Sequence, residues 1–93
     1  MTVAMVAHHY PHPAHRAEFI TRVHQVAEAF RRTPGCLSAD CWVSDDAVVS
    51  IVQWESAEAS AASLDAVQAT AGLDLAYDAR ESRPREIIQL RAA

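Results

Sequence analysis

The stretch PGCLSADCWVSDDAVVSIVQWESAEA, residues 34–59, decides the fold. Pro34-Gly35 supplies a turn, because Pro fixes φ and Gly tolerates positive φ. Cys36 to Val43 alternates as a strand, with Leu37, Ala39, Cys41 and Val43 on one side and Ser38, Asp40 and Trp42 on the other. Ser44-Asp45-Asp46 is turn chemistry, since short polar side chains bond their own backbone. Val48 to Trp54 is rich in β-branched residues and reads as a strand buried on both faces. Ser56 is placed to cap a following helix, and Glu58 suits that helix's positive end. Two strands joined by so short a turn pair antiparallel.

Outward from this hairpin, Thr2 to Tyr10 reads as a strand, with Val3, Met5, Ala7 and His9 on one face. Pro11 and Pro13 end it, because Pro donates nothing to a ladder. From Ala14 to Arg32 the apolar residues Phe19, Ile20, Val23, Val26, Ala27 and Phe30 fall at helical spacing. On the other side, Ala57 to Ala71 reads as a second helix with Gly72 as its cap. Leu73 to Arg80 is expected to form a short further helix. Arg85 to Arg91 is expected to be the last strand, with Ile88 and Leu90 sharing a face with Glu86.

The order is thus β-α-β-β-α-β. Crossovers of this kind put both helices on one side of a four-stranded antiparallel sheet, a ferredoxin-like α+β fold. Residues 1–93 make one domain. The other face of the sheet is left bare, and a large bare apolar face marks an interface. The expected partner is a second copy of the chain, packed face to face.

Composition narrows the function. The hydrophobic share is 51%, but 19 of those residues are Ala, so large core side chains are few. A dimer partner would help such a chain bury surface. Net charge is −4, all eight basic residues are Arg, and there is no Asn. An acidic surface repels phosphate backbones, which argues against nucleic acid. No apolar run approaches the roughly 18 residues of a membrane span, and no signal peptide opens the chain, so the cytoplasm is the expected location.

Cys36 and Cys41 lie on one strand, roughly 16 Å apart at Cα and on opposite sides. A disulfide needs about 7 Å or less, so both are read as free thiols. His8, His9, His12, His15 and His24 make a His-rich N-terminal half. A metal reading lacks a carboxylate or thiolate at matching spacing, and no metal site is assigned.

The run Pro34-Gly35-Cys36-Leu37, the hairpin after it, Trp54-Glu55-Ser56-x-Glu58-Ala59 and the run Pro13-x-His15-Arg16-x-Glu18-Phe19 resemble the antibiotic biosynthesis monooxygenase family. The resemblance implies a dimeric α/β-barrel with a pocket in each protomer between the sheet and its own helices. It implies oxygen chemistry on small aromatic or polyketide-like molecules, with molecular oxygen as co-substrate and no metal or flavin. Departures are specific. Ser50 stands where the anthrone-oxidising branch carries an Asn, and Ala59 where Phe is usual. Ala7, Ser63 and Leu73 stand where the haem-degrading branch carries Asn, Trp and His, which removes the haem reading.

The candidate residues follow. His9 is the candidate base, since an imidazole titrates near ~6.5 and can take a phenolic proton. Trp54, weighed against a place in the core, is expected with Ser50 to form the pocket floor, where it stacks on a flat aromatic ligand. Tyr77 or Arg85 is expected to orient the substrate oxygen, Tyr77 by a hydrogen bond over the pocket mouth and Arg85 by pairing with an enolate or carboxylate. Met5, Ala7, Ser50, Val52 and Leu64 complete the expected lining. The competing expectation is a dimeric module that binds a small molecule without turning it over.

Overall fold

The computed structural model describes residues 1–93. Its centre is the strand Val48–Trp54, in which only Ile51 and Gln53 escape burial. Numbered in chain order, the elements are β1 (Val3–His9), α1 (Arg16–Arg31), β2 (Cys36–Val43), β3 (Val48–Trp54), α2 (Ala57–Gln68) and β4 (Glu86–Arg91). The sheet is antiparallel in the order β2-β3-β1-β4, with β3 and β1 inside and two edge strands. This is the ferredoxin-like β-α-β-β-α-β arrangement.

Pairing sets the faces. Val3, Met5, Ala7 and His9 stand opposite Trp54, Val52, Ser50 and Val48. Side chains alternate along a strand, so these eight share the helix side. Met5, Val52 and Trp54 pack there with Ala27 and Phe30 of α1 and Val67 of α2. Trp54 is 1% exposed, and the Phe30 ring meets it edge-on at 5.7 Å. Phe19 and Val23 of α1 close over Val48 in a second cluster.

The opposite face is open. Trp42, Ile88 and Leu90 are 59%, 47% and 52% exposed, next to half-buried Val6 and Ile51. One end of this face is closed, because Tyr10 packs on Val49 and Ala47. The Tyr10 hydroxyl donates to Glu86 Oε1 at 2.6 Å, and the Arg83 guanidinium lies 3.7 Å over its ring.

Gly35 ties the hairpin to α2. Its φ is +82°, and a Cβ there would lie 2.6 Å from the Ala59 Cβ. The Glu55 N–H donates to the Gly35 carbonyl at 2.9 Å. Ser56 caps α2 by accepting the Ala59 N–H at 3.1 Å.

Four expectations need correction. A one-residue bulge between Cys36 and Ser38 puts Cys36, not Leu37, opposite Trp54. Leu37 is consequently 57% exposed, and Cys36 and Cys41 both face the helices rather than opposite sides. Both remain free thiols, and burial raises both thiol pKa values. Second, α2 ends at Gln68, where the Thr70 N–H bonds back to Val67, so Gly72 lies beyond the cap.

Third, Leu73 to Arg80 is not a helix. Asp74 takes the Ala76 N–H and Asp78 takes the Arg80 N–H, so side chains claim the donors a helix would need. Fourth, α1 begins at Arg16 after a short 3-10 turn over Pro13–His15.

The segment after α2 is pinned rather than loose. Arg80 bonds Glu18, Asp74 and Asp78, and this brings the Asp78 carboxyl down to about 2. The Ser82 N–H donates to the Tyr10 carbonyl at 2.7 Å, and the His12 N–H to the Arg80 carbonyl at 2.9 Å. Glu81 forms an isolated bridge with Pro11. The segment thus follows the end of β1 and delivers Glu81 and Arg85 beside His9.

Candidate functional site

A cavity of about 210 Å³ lies between the sheet and the helices. Met5, Ala7 and His9 of β1 with Ser50 of β3 form its floor. Val26 and Phe30 of α1 and Leu64, Val67 and Gln68 of α2 form its walls, and Leu75, Arg85 and Ile87 stand at its open edge. The small floor residues Ala7 and Ser50 leave this room; the small α2 residues Ala59, Ala62, Ser63 and Ala66 line a separate hollow beside Thr33, Pro34 and Glu55. A recess of about 50 Å³ adjoins the cavity, where Arg22 and Val23 join His9, Ser50 and Arg85.

Six expected site residues meet here: Met5, Ala7, His9, Ser50, Leu64 and Arg85. Three do not line the cavity. Val52 and Trp54 are each 1% exposed inside the core, further along β3 than Ser50 and opposite Met5 and Val3. Tyr77 is 52% exposed, with its ring 5.4 Å from the Arg85 guanidinium.

His9 keeps only 13% of its side chain exposed. Burial lowers its pKa first, and the Arg85 charge lowers it further; Glu81 opposes both, and Arg22 adds a smaller push downward. The imidazole is therefore neutral at neutral pH, the state a base requires. Arg85 donates to Glu81 Oε2 at 2.5 Å and to the Ala76 carbonyl at 2.9 Å. Its Nε is buried with no partner, one donor left over.

Two residues of this cluster escaped the sequence reading. Arg22 lies 4.5 Å over the Phe19 ring and donates to the Ala76 carbonyl. A charge inside the apolar stripe of α1, three residues after Phe19, was its only signal. Glu81 is buried with 0% of its side chain exposed. Its signal was weaker still, an acid four residues before Arg85. The histidines elsewhere do not gather: no group of three or more His, Cys, Asp or Glu side chains is arranged to hold a metal ion. No helix is long and apolar enough to cross a membrane.

Fold and cavity together define a ferredoxin-like α+β protein with a ligand-sized hollow between sheet and helices. The family model for antibiotic biosynthesis monooxygenase matches residues 2–74, and the chain belongs to that family. Among solved structures it is similar to Rv0793 from Mycobacterium tuberculosis, at 20% identity and a TM-score of 0.74, over 100% of this chain and 96% of that one. It is similar to SnoaB, a cofactor-independent oxygenase from Streptomyces nogalater, at 22% identity and a TM-score of 0.69, over 98% and 92% of the two chains. A conserved protein from Methanosarcina mazei Go1 superposes with a TM-score of 0.80 at 14% identity, over 100% of this chain and 94% of that one. Identities this low establish the shared fold. A comparison with curated proteins returned no match.

Proposed function

We propose that this chain is a cofactor-independent oxygenase or oxidase of a small phenol or hydroquinone, working as a cytoplasmic homodimer. The observation that carries the reading is a neutral, nearly buried His9 on the floor of an apolar cavity with Arg85 at its edge. The substrate ring would lie among Met5, Ala7, Val26 and Leu64. His9 takes its proton, and the Arg85 guanidinium at the cavity's edge stabilises the anion that forms.

Arg85 has the heavier task. A phenol ionises near about 10 and an imidazole near about 6.5, a gap of roughly 3.5 units or about 5 kcal/mol. Burial of His9 widens that gap. A guanidinium in a desolvated site stabilises the anion where water would not compete. The anion then gives an electron to oxygen and the two radicals join as a peroxide. For a phenol, loss of water from this peroxide converts a ring C–H and O2 into a carbonyl and H2O, leaving a quinone; a hydroquinone instead gives two electrons and two protons to O2, leaving a quinone and H2O2. No metal or flavin enters either balance.

Size limits the substrate. A dry cavity of about 150 Å³ holds benzene. The 210 Å³ here accommodates one substituted ring, or two with the recess. The open sheet face, with Trp42, Ile88 and Leu90 exposed, supports the homodimer. The test is oxygen consumption by chelator-treated protein across hydroquinones of one, two and three rings. Uptake that favours the small ones supports the reading; none with any supports the alternative.

That alternative is a binding module, favoured by Ser50. A hydroxyl lines the cavity where the oxygen-using branch of the family carries an amide. It would show as a fluorescence change with the same compounds and no oxygen loss.

A further inference from the structure

Five buried side-chain nitrogen or oxygen atoms lack a hydrogen-bond partner. Four of them, His9 Nδ1, Arg22 Nη1, Glu81 Oε1 and Arg85 Nε, belong to one cluster at the end of β1. Buried polar atoms are normally paired, so orphans gathered beside a cavity point to groups held ready for something.

Glu81 is the hub. A carboxylate is rarely enclosed unless paired, and this one has no exposed surface. Backbone bonds from Ser82 and His12 to its neighbourhood hold it against β1. Its Oε2 is engaged by Arg85. Its Oε1 lies 3.5 Å from His9 Nδ1, and neither atom has another partner. That separation exceeds a formed hydrogen bond by a few tenths of an ångström. Catalytic bonds are often this loose before substrate arrives and tighten afterwards.

A carboxylate only accepts. The one bond open to this pair therefore puts the imidazole proton on Nδ1. The lone pair then sits on Nε2, on a ring that lines the cavity.

We propose that Glu81 is a positioning residue: it holds His9 as the Nδ1–H tautomer, so that Nε2 is the proton acceptor, and it fixes Arg85 with its other oxygen. The proposal rests on the reading of His9 as a base. The groups that face His9 are Arg22 from α1, Ser50 from β3, the Phe19 ring at 6.1 Å, and Glu81 and Arg85 from the segment before β4. Of these only Glu81 carries negative charge. Without it, the imidazole meets burial and two guanidinium groups unopposed.

The experiment is nitrogen-15 NMR of the histidines, which reports tautomer and titration without any substrate. The unsubstituted protein should show His9 as Nδ1–H at neutral pH. Glu81→Gln should move the His9 pKa lower, because the charge that raises it is gone. With a turned-over phenol, the acid limb of the rate profile should move to lower pH. Its kcat should fall by about tenfold or more, but by less than the about 10²–10⁴-fold that the whole general base supplies.

An Nε2–H tautomer in the unsubstituted protein overturns the proposal. So does a His9 titration unmoved in folded Glu81→Gln. If that variant does not fold by circular dichroism, the tautomer of the unsubstituted protein decides alone. A failed enzyme reading shows separately: Nδ1–H without oxygen uptake supports the positioning of the ring and removes its role as base.

Discussion

Replacing Gly35 by Ala should destabilise the protein far more than replacing Gly72, although both glycines have positive φ, +82° and +87°. An L-residue in that region costs about 1–2 kcal/mol, and this applies to both sites. The gain from a stiffer unfolded chain, about 0.4–1 kcal/mol, also applies to both and cancels. Only Gly35 has no room: the added Cβ would meet the Ala59 Cβ at 2.6 Å and Glu55 Oε1 and Cγ at 3.1 and 3.2 Å. Nothing lies within 4 Å at Gly72. Forcing a methyl into packed structure costs about 1–3 kcal/mol, and that is the expected difference between the variants.

The assay is urea unfolding at one fixed protein concentration, so that any association affects all variants alike. At a slope of about 1 kcal/mol per molar urea, Gly35→Ala should have a midpoint about 1–3 M below that of Gly72→Ala. Ala59→Gly removes the clashing atom and should recover about 1 kcal/mol or more in a double-mutant cycle. Coincident midpoints for the two alanine variants would refute the close approach of the β2 start to α2, and with it the placement of the cavity's α2 wall.

Trp54→Ala should cost about 3–5 kcal/mol, since the ring is enclosed against Phe30, while Trp54→Phe should leave oxygen uptake largely intact; a loss below about 1 kcal/mol in unfolding would remove Trp54 from the core. Stability should form a plateau from about 6.5 to about 8.5 in pH, above which the unfolded chain ionises its thiols before the raised Cys36 and Cys41 do. Below it, the unfolded chain protonates before the lowered His9 does, and then before the Asp78 carboxyl, which is held at about 2, so stability falls as pH falls. Above it, the raised Tyr10 hydroxyl resists ionisation that the unfolded chain undergoes, so stability falls as pH rises. Thermal melts across pH check both limbs, and a curve rising below pH about 6 would contradict the His9 assignment. Ile88→Glu, on the open face, should give a monomer in sedimentation where the unsubstituted chain gives a dimer; two identical species would place the interface elsewhere.

The hairpin, both helices and the placement of Ser56 as a cap were legible, because period and capping chemistry are local. The face of Cys36 was not, since one bulge residue reverses the alternation and leaves no mark in the sequence. The segment from Leu73 to Arg80 misled because Leu73, Ala76 and Tyr77 imitate helical spacing, while Asp74 and Asp78 decide the backbone. His9, Ser50 and Arg85 were legible through strand faces and family resemblance. Trp54 was ambiguous because helix-side residues of one strand alternate between core and cavity wall according to what the helices cover. Glu81 was invisible, because its burial depends on a return of the chain to β1 across about 70 residues.

The most direct measurement is the rate of oxygen uptake by His9→Ala beside the unsubstituted protein, both chelator-treated and saturated with a one-ring hydroquinone that the latter turns over. The account predicts a loss of about 10²–10⁴-fold in kcat with KM changed little, since the base acts in the transition state and the apolar lining binds the ring. Equal kcat values in the two proteins would contradict it.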